Sequence, residues 1–488
     1  MEENKQYDVF LIGAGIMSAT LGTILKTLKP DFKMGLVERG GIVSQESSGA
    51  KNNSGTGHSG FCELNYDLKK AIHTCESFEQ SKQFWAYLVE RGHIKPNFIN
   101  QVPHISFVQG QENVDELKER WTEMKKINLF EEMEFTTDPE TLKRWMPLVM
   151  HRRLSLNRAD MSPAMAATRM NKGTDINFGL LTSNLLDYLT RVGVDSSFYK
   201  EVTSIKRNGL KWDVTFKDRI NQKETTITTK FLFIGAGGAT LTLLQKSGIP
   251  EAKGYGGFPV SGQFLMCETP EVVNKHNAKV YGKPELGSPP MSVPHLDTRI
   301  INGKKVLLFG PFAGISSKFL KNGHWTDFFK SLRFSNIFTI LSAGLRNLGL
   351  SKYLVKEVTK TSKGRFETLL SYYPDADIKD WKPIIAGQRV QVIKKDNGVP
   401  TIEFGTEIVT SEDGTLAAIL GASPGGSTSV HIMIEIIEKC FRKDKNWSDF
   451  MYKLSKIIPS YKDPLSENME LFNEVEEFTN KHLNLGKE

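Results

Sequence analysis

Gly13-Ala-Gly15-Ile-Met-Ser18 has the spacing of a dinucleotide fingerprint, and Glu38 stands 20 residues beyond Ser18. Gly13 permits a tight turn out of a strand. Gly15 lets a pyrophosphate approach the backbone at a helix N-terminus, and Ser18 is small enough for close helix–strand packing. A carboxylate at the place of Glu38 receives ribose hydroxyls and disfavours a 2′-phosphate, so NADP is not expected. Two further glycine clusters follow, Gly235-Ala-Gly237-Gly238 and Gly421 to Gly426, the second ending in Gly425, Gly426 and Ser427 where a helix opens. A helix start offers backbone N–H groups and a positive dipole end. One nicotinamide needs one such fingerprint, whereas an extended FAD gripped along its length accounts for all three. Taken singly, the two later clusters also fit ordinary turns.

The elements that must position these glycines are legible from periodicity. Tyr7–Gly13 reads as an apolar strand, Ile16–Leu28 as a helix and Lys33–Glu38 as a second strand, which makes one βαβ unit. Gly40–Gly60 is a long Gly/Ser/Asn-rich loop. Leu68–Phe130 reads as helices interrupted by a strand near Pro103–Val108, and Phe178–Val192 as a helix. Short strands are expected at Val202–Lys206, Lys211–Phe216 and Glu224–Thr229, leading into Phe231–Ile234. A β-rich block spans Gly257–Gly310. Ile384–Lys394 and Leu416–Leu420 are strand-like, and Ser427–Cys440 is helical. No fixed-period repeat appears.

The formal net charge of +7 is unevenly placed. Ser316–Arg365 holds seven Lys and three Arg against Asp327 and Glu357, and the rest of the chain is close to neutral. The same stretch carries Phe319, Trp325, Phe328, Phe329, Phe334 and Phe338, at the three-and-four spacing of helices with one apolar face. Two uses fit that pattern. One is a helical subdomain with its apolar face on the core and its lysines in water. The other is a basic amphipathic surface for an anionic leaflet. No nucleic-acid motif accompanies the charge. The four cysteines, Cys62, Cys75, Cys267 and Cys440, are too scattered for a zinc site, and no metal or disulfide scaffold is expected. The start, Met1-Glu-Glu-Asn-Lys-Gln, lacks the pattern of a signal peptide, and no stretch is long and apolar enough for a membrane span.

Several stretches carry a resemblance to a known family: Asp8 to Gly22, Asn52-Asn-Ser-Gly-Thr-Gly-His-Ser-Gly to Tyr66, Val102 to Val108, Ala167-Thr-Arg-Met170 and Gly173 to Gly179. Pro259 to Phe264, Pro294-His-Leu-Asp-Thr-Arg299, Ala386-Gly-Gln-Arg-Val-Gln391 and Leu420 to His431 extend it over nearly the whole chain. The sequence resembles the malate:quinone oxidoreductases, FAD enzymes of the membrane-associated malate dehydrogenase type. The resemblance implies oxidation of (S)-malate to oxaloacetate, with electrons leaving reduced FAD for a membrane quinone. That chemistry needs a base for the hydroxyl proton, and His58, His431 and His295 lie in the matching motifs. It also needs cations for two carboxylates, for which Arg299, Arg389 and Arg169 are the candidates. Each of these residues has a plain structural alternative, a core histidine or a structural ion pair.

The expected fold is α/β, an FAD-binding Rossmann-like domain of the glutathione-reductase or amino-acid-oxidase type beside a β-sheet substrate domain with helices. Residues 1–66, 161–256 and 376–445 are assigned to the first, 67–160 and 257–375 to the second, and 446–488 to C-terminal helices. The expected partners are malate, a membrane quinone and an anionic membrane surface through 316–365, with no nucleic acid. The expected place is the cytoplasm, at the inner face of the cell membrane. Dehydrogenation of another 2-hydroxy acid, lactate or 2-hydroxyglutarate, is the alternative, and a non-catalytic flavin-fold binding protein a distant third.

Overall fold

Val9, Leu11, Leu36, Leu232 and Phe233 are each fully buried, the near-continuous apolar pattern of strands covered on both faces. In the computed structural model, which describes residues 5–155, 164–283, 293–346, 360–396, 398–403, 405–421 and 425–486, these strands form a parallel sheet. The strand Gln6–Ile12 lies at its middle, with Val9 opposite Met34 on one side and Phe231 on the other. Asp195–Ser197 extends the sheet beyond Met34–Val37, and Leu416–Gly421 extends it beyond Glu224–Ile234, all parallel. Thr406–Thr410 closes that edge antiparallel.

One face of this sheet packs against the helices Ile16–Leu28, Phe178–Arg191 and Ser429–Phe441 in a core that includes Leu21, Leu185 and Val430. The other face is covered by an antiparallel meander, Lys200–Asn208 and Lys211–Asp218, through Trp212 and Val214. The meander's last strand has no break before Phe231. Glu224–Ile234 runs continuously, pairing with Lys211–Asp218 in its first half and with Gln6–Ile12 in its second. Lys230 does not interrupt it, because its side chain points out to Asp8 at 2.8 Å while Thr229 is fully buried.

A second sheet, nine-stranded among the described residues, is mixed and largely antiparallel. Near one edge, next to Val399–Glu403, lies the long pair Trp381–Asp396 and Gly256–Cys267, with Val260 opposite Arg389. Lys304–Ile315, His295–Ile301, Lys279–Tyr281, His104–Gln109 and Met165–Met170 continue it outward.

The layers differ from the expected division at three places. Trp381–Asp396 and Val399–Glu403 belong to the second sheet, not to the parallel one. So does Met165–Met170. The helix Leu68–Glu90, expected with the substrate domain, buries Phe78, Phe84 and Trp85 in the core of the parallel sheet. A chain that crosses between layers several times leaves no composition shift at each crossing. The C-terminal helices add Phe450 and Leu454 to the same core, and Met469–Leu483 packs on Leu68–Glu90.

Within 316–365 the described helices are Asp327–Ser331, Ile337–Arg346 and Ser362–Tyr372, and residues 347–359 lie outside the described residues. Phe319 is buried against the meander side of the core. Phe334 and Phe338 are exposed.

Candidate active site

A cavity of about 640 Å³ opens where the parallel strands end, between the two sheets. Gly13, Glu38, Gly235 and Gly421 each directly follow or end one of those strands and line it. The carboxyl ends of parallel strands are where open α/β sheets bind ligands, because helix N-termini and loops converge there. Gly13, Gly15, Glu38, Gly235, Gly237, Gly425, Gly426 and Ser427 all line this one cavity, as do His58 and Arg389. Ala422, Ser423 and Pro424, inside the third glycine cluster, lie outside the described residues.

The dinucleotide end is built by backbone proximity. Gly13 has φ +99°, and a Cβ there would lie 2.5 Å from the Gly235 carbonyl oxygen, so the first two glycine turns pack directly on each other. Ser18 is fully buried beside them and does not reach the cavity. Its hydroxyl is directed at the Ile12 carbonyl, and a Cβ on Gly235 would meet its Oγ at 2.4 Å, so it secures close helix–strand packing. The helix Ile16–Leu28 starts at Gly15, which brings no side chain; the Ser48 hydroxyl takes the Ile16 N–H at 3.0 Å, and the rest of this N-terminus faces the cavity, where an anion is favoured. Glu38 accepts from the N–H of Ala14 at 2.8 Å and of Gly40 at 2.6 Å, and a carboxylate has further lone pairs for ribose hydroxyls. These residues fit FAD: a close glycine turn, a helix N-terminus free of bulk at Gly15 and a fixed carboxylate share one cleft.

At His58 the wall changes character. Its Nδ1 lies 2.5 Å from Oε1 of Glu63, which is almost fully buried. An ionised carboxylate only accepts, so Nδ1 carries the hydrogen and Nε2 is the basic nitrogen. Burial alone would raise the Glu63 carboxyl, but the His58 hydrogen bond and charge outweigh it and hold it below the usual carboxylate range. Thr56, on the same loop, hydrogen-bonds the Tyr281 hydroxyl at 2.9 Å. Burial, with help from Asp297, pushes the Tyr281 phenol well up, so it stays protonated.

Arg389 lies deep inside the molecule yet exposes its side chain to the cavity. Burial lowers its pKa, and the nearest compensating groups are the phenols of Tyr281 and Tyr66. Among the described residues no carboxylate pairs with its guanidinium. An enclosed cation without a counter-ion calls for an anionic ligand.

The other four candidates lie elsewhere. Arg299 is fully buried, with Nε 2.6 Å from Asp175 and hydrogen bonds to the carbonyls of Asn53 and Ile176. Its fork is used up in fixing the loop that carries His58. Gly55 (φ +61°) has no room for a Cβ, which would meet that guanidinium at 2.3 Å. His295 places Nδ1 2.6 Å from Asp297 and stacks flat on Tyr281 at 4.1 Å, so it supports the wall from behind. Arg169 lies over the Trp145 ring on the strand Met165–Met170, away from the cavity. His431 faces the helix Leu68–Glu90, with Nδ1 2.9 Å from Gln80 and Nε2 3.3 Å from Glu435. Ser427 lines the cavity before the helix Ser429–Phe441 begins, and His431, in that helix's first turn, points to Gln80 instead.

Three groups were not among the sequence candidates. Glu63 is five residues from His58 within the Asn52–Tyr66 stretch, close enough for sequence to suggest a pair. Lys279 bridges Asp175 at 2.9 Å and Asp297 at 3.9 Å, all three fully buried, and donates to the Ser54 carbonyl. Burial alone would raise the Asp297 carboxyl, but His295, Lys279 and Arg299 outweigh it and hold it ionised. Lys321 donates to Asn52 and to the Ile385 carbonyl, both at 2.8 Å, and its N–H meets Glu46, so the basic segment is tied onto the cavity rim.

The family model described as malate:quinone oxidoreductase matches residues 5–485. A probable malate:quinone oxidoreductase of Oceanobacillus iheyensis is 50% identical over 501 residues, covering 100% of this chain and 98% of that protein. One from Flavobacterium psychrophilum is 50% identical over 492 residues, covering 98% of each. Among solved structures, an L-α-glycerophosphate oxidase from Mycoplasma pneumoniae with FAD bound matches with TM-score 0.59 at 16% identity, over 91% of this chain and 98% of that one. A glycine oxidase from Geobacillus kaustophilus matches with TM-score 0.59 at 15% identity, over 90% and 96%. These two likenesses establish the shared fold. Matched by the family model from residue 5 to residue 485, and half identical to relatives along their whole length, the chain belongs to the malate:quinone oxidoreductase family.

Proposed function

We propose that the chain oxidises (S)-malate to oxaloacetate, with FAD resident in the cavity and a membrane quinone as electron acceptor. The observation that carries this reading is the convergence of three glycine turns, the His58–Glu63 pair and the unpaired Arg389 on one cavity. Gly13, Gly15, Glu38, Gly235, Gly237, Gly425, Gly426 and Ser427 would hold FAD, which supplies the acceptor for the hydride when bound. His58 Nε2 takes the proton of the substrate hydroxyl, and Glu63 balances the imidazolium charge. Arg389 receives a substrate carboxylate in its planar fork and fixes the hydroxyl-bearing carbon. Thr56, held by Tyr281 behind it, keeps the wall beside His58 in place, backed by the buried ions of Lys279, Asp175, Asp297 and Arg299.

The basic segment 316–365 would hold the protein peripherally at the inner face of the cell membrane, where the quinone is. No helix among the described residues is long and apolar enough to cross a membrane. The test is the initial rate of the flavin-replete protein with malate, lactate and 2-hydroxyglutarate and a dye acceptor. Malate is expected to be preferred. A preference for lactate would overturn the substrate, and a colourless protein would overturn the cofactor.

A further inference from the structure

The helix Ile337–Arg346 turns Ile340 inward over Gly256 beside small and polar residues, and leaves large apolar side chains bare on its other side. It buries Thr339 and Ala343, with Asn336 just before it, at 1% exposure or less, and leaves Phe338 75% and Leu341 59% exposed. Phe334, at 97%, stands bare in the turn that leads into the helix. Asn336 is held inward by hydrogen bonds to the carbonyls of Tyr255 and Ser331, so the orientation is fixed by paired polar groups. Trp325 (62%) and Phe329 (57%) stand exposed on the preceding turn and helix. Five large apolar side chains thus lie bare within 17 residues, and scattered exposed residues are normal where a cluster is not. Lys318, Lys321, Lys330, Arg333 and Arg346 accompany them against the single acid Asp327.

We propose that Trp325, Phe329, Phe334, Phe338 and Leu341 form a wedge that inserts into the interfacial layer of an anionic bilayer, with the exposed cations Lys330, Arg333 and Arg346 on lipid headgroups. The proposal rests on the peripheral-membrane reading above and deepens it: attachment is by insertion of a defined apolar face, not by charge alone. The choice of a bilayer over a protein follows from the charge, because aromatic groups ringed by cations with one acid match anionic headgroups above acyl chains. The wedge is also rigidly joined to the reaction site. Lys330 and Arg333, both exposed, also border the cavity, and Lys321 is tied to Glu46 and Asn52 on its rim. A bilayer engaged at Phe334 and Phe338 therefore lies against the wall of the cavity that a lipid-borne acceptor must reach.

The experiment uses the flavin-loaded, full-length protein and the triple variant Phe334→Ser/Phe338→Ser/Leu341→Ser, whose positions touch neither cavity nor core. Binding is measured by co-sedimentation with vesicles containing phosphatidylglycerol, at low and high salt, beside malate oxidation with a soluble dye. Wild type is expected to keep part of its binding at high salt. The variant is expected to bind roughly tenfold more weakly or worse at low salt and not at all at high salt. Its dye-linked rate should match wild type, while its rate with quinone carried in the vesicles falls with binding. Equal vesicle binding by variant and wild type, both active with dye, overturns the wedge and leaves the malate reading standing. A concentration-dependent dimer that the variant abolishes, without vesicle binding, overturns it in favour of a second copy of this chain. Loss of malate–dye activity in wild type would instead strike the functional reading, and it is scored separately from binding.

Discussion

Replacing Glu63 by Gln keeps the size of the side chain and removes its charge at the back of His58. The carboxylate is almost fully buried, lies 2.5 Å from Nδ1, and is held ionised by that contact. When His58 accepts the substrate proton, the new positive charge forms against this carboxylate with little water to screen it. A hydrogen bond between charged partners contributes about 1.5–3 kcal/mol, and the desolvated site favours the upper part of that range. With about 1.36 kcal/mol per decade, a loss of about 2–3 kcal/mol lowers kcat by roughly 30- to 150-fold. The assay is dye-linked malate oxidation at saturating substrate, with flavin content read by absorbance so that rates refer to holoenzyme. Glu63→Gln, His58→Gln and the double variant together make a cycle. If Glu63 acts only through His58, it should add almost nothing once His58 is gone. A Glu63→Gln holoenzyme within a factor of about three of wild type, or full additivity with His58→Gln, would refute the reasoning.

Arg389→Lys loses the bidentate fork, and KM for malate should rise by roughly ten- to a hundredfold with flavin content intact. Arg299→Met strips one ion from a closed buried network and should instead cost about 3–5 kcal/mol of stability, read as a lowered Tm with KM unchanged in the surviving holoenzyme. The reverse pattern would exchange their roles. Gly13→Ala places a Cβ 2.5 Å from the Gly235 carbonyl at φ +99°, so the purified variant should be largely colourless, whereas wild-type flavin content would contradict the packed-turn account. His104, fully enclosed, is pushed down to about 4 from 6.5 by burial. Below pH 6.5 the unfolded chain takes up a proton that the folded one refuses until about pH 4, so stability falls across that window by about 3 kcal/mol from this group. Denaturant titrations of His104→Gln at pH 7 and pH 4 should show a smaller acid loss than wild type, and equal losses would contradict the assignment.

The dinucleotide end was legible because its parts are local. A turn, a helix start and the next strand's end are fixed by spacing within the first forty residues, and the structure sets them as the spacing implies. The reaction end was only half legible. His58 and Arg389 lie on the cavity, but nothing in Pro294-His-Leu-Asp-Thr-Arg299 tells that Arg299 and His295 are spent on Asp175 and Asp297. Those partners, with Lys279, come from strands brought together by tertiary pairing. His431 follows the third glycine cluster in sequence, and the helix phase that turns it toward Gln80 is not written in the motif. In 316–346 the three-and-four spacing is present, yet spacing cannot say which face a helix buries. Asn336 and Thr339 went inward and Phe334 and Phe338 outward.

The central claim, that this cavity passes electrons from malate to a quinone, is tested most directly by anaerobic titration of the purified, flavin-loaded protein. Addition of malate should bleach the flavin absorbance with formation of oxaloacetate, and a soluble quinone analogue should restore the colour while NAD+ leaves it bleached. A flavin that malate fails to bleach, or one that NAD+ restores and the quinone analogue does not, would contradict the account.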